Sequence, residues 1–146
     1  MKNALITGVT GQGGAHLSKY LLEKGYRVFG GCRRMGQSDL WRLQELGVLQ
    51  NENFSLHEYD ATDPVSSLQL VEASHPEEIY HLAAQAHVGR SFDLPHATAL
   101  VTGIGALNML EATRKLAPSA RFLQASSAEL YGNTTIAPQS EVTPFK

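Results

Sequence analysis

The run Ala4-Leu5-Ile6-Thr7-Gly8-Val9-Thr10-Gly11-Gln12-Gly13-Gly14 constrains this chain more than any other stretch. A short apolar segment leads straight into glycines at 8, 11 and 14, and Leu17, Leu21 and Leu22 follow at helical spacing. The order is strand, glycine turn, helix. Gly8 permits a tight exit from the strand, Gly11 lets backbone approach a phosphate, and Gly14 lets the helix pack closely on the sheet. The helix start offers free N–H groups and a partial positive charge to an anion. Such a turn suits the pyrophosphate of a dinucleotide, with Gly8, Thr10, Gly11, Gln12, Gly13 and Gly14 as the contact residues. Glycine-rich turns are common, so the strand before and the helix after carry the specificity.

The next strand ends in Cys32-Arg33-Arg34. A site preferring NAD usually has an acid here to bond the ribose hydroxyls. Two arginines stand there instead, and guanidinium forks suit a 2′-phosphate. The expected cofactor is therefore NADP. The competing possibility is a pair of solvated arginines at a strand end.

The pattern predicts strands at about 2–7, 26–32, 54–59, 78–82 and 121–125. Helices are expected at 12–25, closed by Gly25, and at 40–46. Asp63-Pro64, an N-cap followed by proline at the first helical position, opens a third helix to about His75. A polar loop is expected from strand four to Pro95, then a long helix to Leu116. On that helix Leu100, Val101, Ile104, Leu107 and Leu110 read as the core face, leaving a second surface for another subunit. Repeated βαβ units with right-handed crossovers give an α/β fold with a doubly wound parallel sheet. The expected strand order is 3-2-1-4-5, a Rossmann arrangement with helices on both faces. Ligands in such sheets lie beyond the C-terminal strand ends, at the switch between strands one and four. Segments 8–14, 33–34, 60–61 and 82–88 converge there. Asp60, followed by Ala61, is placed either to meet the adenine amino group or to cap a helix. Leu82, Ala83, Ala84 and Gln85 end strand four, where small residues let backbone pass close to ribose and nicotinamide.

At 146 residues the chain is long enough for one domain with a proper core. A net charge of −2 implies no broad basic surface for nucleic acid. No apolar run is long enough to span a bilayer, and no set of ligand residues suggests a metal site. Met1-Lys2-Asn3 leads directly into a strand, and the single Cys32 excludes an internal disulfide. The expected location is the cytoplasm.

Three segments carry a resemblance: 7–14, Tyr80-His81-Leu82-Ala83-Ala84-Gln85, and Ser126-Ser127-Ala128-Glu129-Leu130-Tyr131-Gly132. On them the chain resembles the extended short-chain dehydrogenases/reductases that modify nucleotide sugars, over its whole length. Gln12, Cys32-Arg33-Arg34, Ala84-Gln85-Ala86-His87-Val88 and Thr143-Pro144-Phe145 make it most similar to the GDP-mannose 4,6-dehydratase branch. Gly13, Ala97 and Ala128 stand where that branch usually has Asp, Tyr and Ser. The resemblance implies a cycle on a nucleotide sugar, with GDP-mannose as the expected substrate. Hydride leaves sugar C4, the 4-ketone acidifies C5–H, water is lost from C5 and C6, and the hydride returns to C6. It implies Glu129 as the base that takes the C5 proton and then protonates the departing hydroxyl, and Ser127 as the hydroxyl bonded to the C4 oxygen. Glu129 otherwise reads as a surface acid. Ser126 reads equally as a substrate contact or a loop hydroxyl, and Val88 as a substrate contact. Homodimers or homotetramers are implied as well.

The family's Tyr-x-x-x-Lys pair lies on one helix face, beyond the Thr-Pro-Phe segment, and the sequence given ends at Lys146 before reaching it. Residues 1–146 are therefore expected to be the NADP-binding N-terminal portion of a longer enzyme, without the substrate domain and inactive alone. Tyr20-Leu21-Leu22-Glu23-Lys24 has the same spacing, but Tyr20 lies ~12 Å down the first helix from Gln12. It reads as packing plus a solvated lysine. Two alternatives stand beside the dehydratase: a nucleotide-sugar epimerase or reductase, and a catalytically inactive NADP-binding module.

Overall fold

The alternation of strands and helices is present in a computed structural model that describes residues 1–33 and 36–145. Strands β1 (Asn3–Thr7), β2 (Arg27–Cys32), β3 (Phe54–Glu58), β4 (Glu78–His81) and β5 (Arg121–Gln124) form one sheet in the order β3-β2-β1-β4-β5. Every neighbouring pair is parallel, and Leu5 at the centre aligns with Phe29 on one side and Ile79 on the other. This is the expected doubly wound topology.

Alternation along β1 sends its residues into two separate cores. Ala4 and Ile6 pack with Val28, Ala15, Leu21 and Leu43, under helices α1 (Gln12–Glu23) and α2 (Gln37–Glu45). Leu5 packs with Ile79, Leu70, Val71, Met109 and Ala112, under helices α3 (Pro64–Ser74) and α6 (Gly105–Leu116). Burial on both faces is what a parallel sheet requires. Asp63 caps α3 as expected, its carboxylate accepting from the N–H groups of Val65 and Ser66 at 3.0 and 3.2 Å.

Two expectations need correction in the fourth crossover. The stretch before Pro95 is not all loop: α4 (Val88–Asp93) forms within it, and His87 Nδ1 accepts the Arg90 N–H at its start. The long helix runs as α5 (Pro95–Thr98), a π-helical stretch over Ala99–Ile104, and α6. Its core face is Gly105, Met109, Ala112 and Thr113, whereas Ile104, Leu107 and Leu110 are 45–53% exposed. The wider π turn shifts the phase of everything after it. Gly105 then meets Ala61, with room for no Cβ (2.8 Å to the Ala61 methyl). Small residues thus seat the helix against the loop that follows β3, and the leucines turn outward. Among the described residues no helix is long and apolar enough to cross a membrane.

Candidate functional site

The C-terminal ends of β1 to β4 open onto one cleft of about 420 Å³ at the switch between β1 and β4. Its centre is the glycine turn. Gly8 takes φ +69°, and the N–H groups of Gly8 and Val9 donate to the Gly31 carbonyl at 2.9 and 3.3 Å. A Cβ on Gly14 would lie 2.6 Å from the Gly8 oxygen and 2.7 Å from Val9 Cα, so only glycine lets α1 start this close to β1. The Ala15 N–H donates to the Gly11 carbonyl at 3.0 Å, the first helical bond. Ahead of it, the N–H groups of Gln12, Gly13 and Gly14 have no acceptor among the described residues, and the first turn contains no acidic side chain. Three free donors at a positive helix end fit a diphosphate.

Below the turn lies a buried polar knot that the sequence did not announce. Thr7 and His81 are both fully buried, with Thr7 Oγ1 2.9 Å from His81 Nδ1. The same Thr7 oxygen accepts from the N–H groups of Leu82 and Ala83, each at 3.2 Å. With two donors already on that oxygen, the hydroxyl proton goes to Nδ1, and His81 carries its own proton on Nε2. Burial pulls the imidazole down to about 4, so it is neutral at physiological pH. The knot pins the Leu82–Ala83 backbone against the Gly8 turn, where a Cβ on Gly8 would lie 3.0 Å from the Ala83 nitrogen.

Arg33 and Asp60 line the β2–β3 end of the cleft with Ala61, while Arg34 lies outside the described residues. Asp60 Oδ1 accepts from the Thr62 N–H and hydroxyl at 2.9 and 2.8 Å, so Asp60 closes a local turn and Asp63 caps the helix. Those hydrogen bonds hold the Asp60 carboxyl below the usual carboxylate range, helped by the nearby Arg33 charge. Tyr59 also lines the cleft, and burial pushes its hydroxyl up to about 12. It is a neutral phenol at physiological pH and no base.

Leu82, Ala83, Ala84 and Gln85 line the β4 end, as expected, together with Ala86, Val101 and Arg90. Gln12, Gly13 and Gly14 are absent from the cleft wall itself and form its helical rim. Ala86 falls within the expected 82–88 segment, whereas Gly31, Cys32, Tyr59, Arg90 and Val101 were not expected at the cleft. Of these, Arg90 had a legible signal, a cation two residues past the 82–88 segment.

The β5 segment stands apart. Ser126, Ser127, Glu129 and Val88 are exposed and do not line the cleft. Ser127 caps the short 3₁₀ turn Ala128–Tyr131, its hydroxyl oxygen accepting the Glu129 N–H at 3.1 Å. That leaves the Ser127 proton free to donate. Ser126 takes φ +60°, a left-handed conformation rare for serine. Tyr20 is 54% exposed, with Lys24 5.4 Å over its ring, so it is a solvated pair on α1 and less packed than expected.

The model of the GDP-mannose 4,6-dehydratase family matches residues 5–146. GDP-mannose 4,6 dehydratase 2 of Caenorhabditis elegans is 48% identical over 99% of the chain, and the human GDP-mannose 4,6 dehydratase 44% identical over 97%. The chain spans about 40% of the length of each. Among solved structures, a UDP-glucose 4-epimerase of Thermotoga maritima with UDP-glucose superposes with a TM-score of 0.81 at 28% identity, over 99% of this chain and 44% of its own. A UDP-glucose-4-epimerase of Stenotrophomonas maltophila with bound NAD shares the fold, with a TM-score of 0.86 at 23% identity, over 100% of this chain and 43% of its own.

Proposed function

The chain belongs to the GDP-mannose 4,6-dehydratase family, and from that premise we propose that its cleft holds NADP and that the full-length protein converts GDP-mannose to GDP-4-keto-6-deoxymannose. One observation carries the cofactor reading: three unpartnered N–H groups at the start of α1 follow directly on Gly11, and the cleft lined by Gly8, Thr10 and Gly11 also holds Arg33 and no acid except Asp60. The amides of Gln12, Gly13 and Gly14 hold the diphosphate. Arg33 and Arg34 hold the 2′-phosphate, and Asp60 and Ala61 meet the adenine. The 82–85 backbone faces the ribose and nicotinamide. When bound, the cofactor supplies a reversible hydride acceptor.

The chain's own residues carry the proton of the elimination, whereas the C4 hydroxyl proton, lost as hydride leaves C4, goes to the tyrosine of the family's Tyr-x-x-x-Lys pair and is balanced by the proton C5 takes up as hydride adds at C6. Ser127 donates its hydroxyl to the C4 oxygen, with Ser126 and Val88 beside the sugar. The Glu129 carboxylate removes the C5 proton. The C6–O bond breaks as the C5–C6 double bond forms, and Glu129 returns the proton to the leaving hydroxyl as water. The homodimer or homotetramer of this reading uses the exposed Ile104, Leu107 and Leu110 face of the long helix as a contact. In the full-length protein Glu129→Gln lowers water elimination from GDP-mannose by ~100-fold or more, while hydride exchange with the cofactor persists. Undiminished elimination favours the epimerase or reductase alternative. Absence of turnover by the unmodified full-length protein on any nucleotide sugar favours the inactive NADP-binding module.

A further inference from the structure

Arg90 is a second arginine lining the cleft besides Arg33, and it lies outside the glycine turn. Its residue lines the same cleft as Gly8, Thr10, Gly11 and Arg33. Its guanidinium forms no hydrogen bond or ion pair among the described residues, and the one acid lining the cleft, Asp60, is engaged by Thr62. The position is built rather than incidental. The Thr102 hydroxyl on the long helix accepts the Gln85 N–H at 3.2 Å. Gln85 and His87 exchange two hydrogen bonds, at 2.9 and 3.0 Å, between the Gln85 side chain and the His87 backbone. His87 Nδ1 accepts the Arg90 N–H at 3.2 Å. This chain of contacts fixes the start of α4 relative to the cleft and leaves the guanidinium as a cation without a counter-ion among the described residues.

We propose that Arg90 binds the diphosphate of the dinucleotide together with the α1 amides, so that a guanidinium fork adds to the helix N-terminus in holding the anion. The inference rests on the cofactor reading above. It separates two diphosphates, the cofactor's and the nucleotide sugar's. Arg90 shares its cleft with the glycine turn, which assigns it to the cofactor's. A guanidinium on an oxyanion is a strong, directional contact, so its loss shows as a large change in affinity.

The test is calorimetric titration of the chain and of its Arg90→Ala and Arg90→Lys variants with NADP⁺, adenosine 2′-monophosphate and GDP. Arg90 is exposed, and circular dichroism of each variant checks that the fold is intact. Arg90→Ala is expected to weaken NADP⁺ about tenfold or more, and Arg90→Lys by less. Binding of adenosine 2′-monophosphate, which has the 2′-phosphate but no diphosphate, is expected to stay unchanged. An unchanged NADP⁺ affinity in Arg90→Ala, with or without weaker GDP binding, overturns the proposal and leaves the cofactor reading standing. Equal weakening of NADP⁺ and adenosine 2′-monophosphate also overturns it, because the effect then lies elsewhere. Failure of the unmodified chain to bind NADP⁺ or NAD⁺ overturns the cofactor reading itself, and this proposal with it.

Discussion

A methyl group added at Gly14 would sit 2.6 Å from the Gly8 carbonyl oxygen, while at Gly13, one residue earlier, nothing lies within 4 Å. Backbone atoms cannot move aside as a flexible side chain does. Gly14→Ala is therefore expected to lower unfolding free energy by about 1–3 kcal/mol. Gly13→Ala, which adds a better helix former in open space, is expected to leave it unchanged or raise it by up to ~1 kcal/mol. Urea denaturation of the two variants checks the contrast, and equal destabilisation would contradict it. Thr7 is a second such point. Thr7→Val removes the hydroxyl that serves His81 and the Leu82 and Ala83 N–H groups together. Leaving buried polar groups unpaired costs about 1–3 kcal/mol each, so Thr7→Val is expected to be strongly destabilising, with Thr7→Ser recovering most of the loss. The glycines and both arginines were visible as letters. The Thr7–His81 knot was not, because it joins residues 74 apart in sequence through strand register.

At the level of elements, the helix signals that rest on local chemistry were the legible ones. Asp63-Pro64 specified the start of α3 because a carboxylate cap and a missing N–H act within one turn. Asp63→Ala is expected to cost about 1 kcal/mol, and Asp63→Ser far less, by thermal or chemical melting. The long helix was legible in extent, from Pro95 to Leu116, but not in phase. Regular 3.6-residue spacing placed Ile104, Leu107 and Leu110 inward. The π-helical stretch ahead of them and the close approach of Gly105 to Ala61 turn that face outward instead. Hydrophobic periodicity carries no information about such an inserted residue. Helix α4 was missed for a related reason: its start depends on a His87 side-chain cap, which reads in sequence as part of a polar loop.

For the molecule as a whole, the parallel topology followed from alternating elements and crossover handedness, and the strand order from reading the first glycine turn as a dinucleotide-binding one. The site was legible where it sits on strand ends. It was obscure beyond β5, where exposed loop residues Ser127 and Glu129 lie outside the cleft wall. Global stability should respond to the buried imidazole. Unfolded, His81 takes a proton near 6.5; folded, it stays neutral down to about 4. The unfolded state binds more protons in that window, so stability falls as pH drops from 6.5 to 4, by on the order of 3 kcal/mol. Asp60 and Glu78, held below their ordinary values, add a further loss as pH falls through the carboxylate range. In His81→Asn, unfolding free energy measured against pH should lose most of its slope between 4 and 6.5. The central claim is that the open amides of α1 grip a diphosphate while Arg33 reads the phosphorylated ribose. A ¹⁵N NMR titration of the chain tests it most directly. The account predicts saturable shifts of the Gln12, Gly13 and Gly14 amides with both NADP⁺ and NAD⁺, and of the Arg33 side-chain Nε signal with NADP⁺ alone. Amide signals at 12–14 that stay fixed while either dinucleotide binds would contradict it.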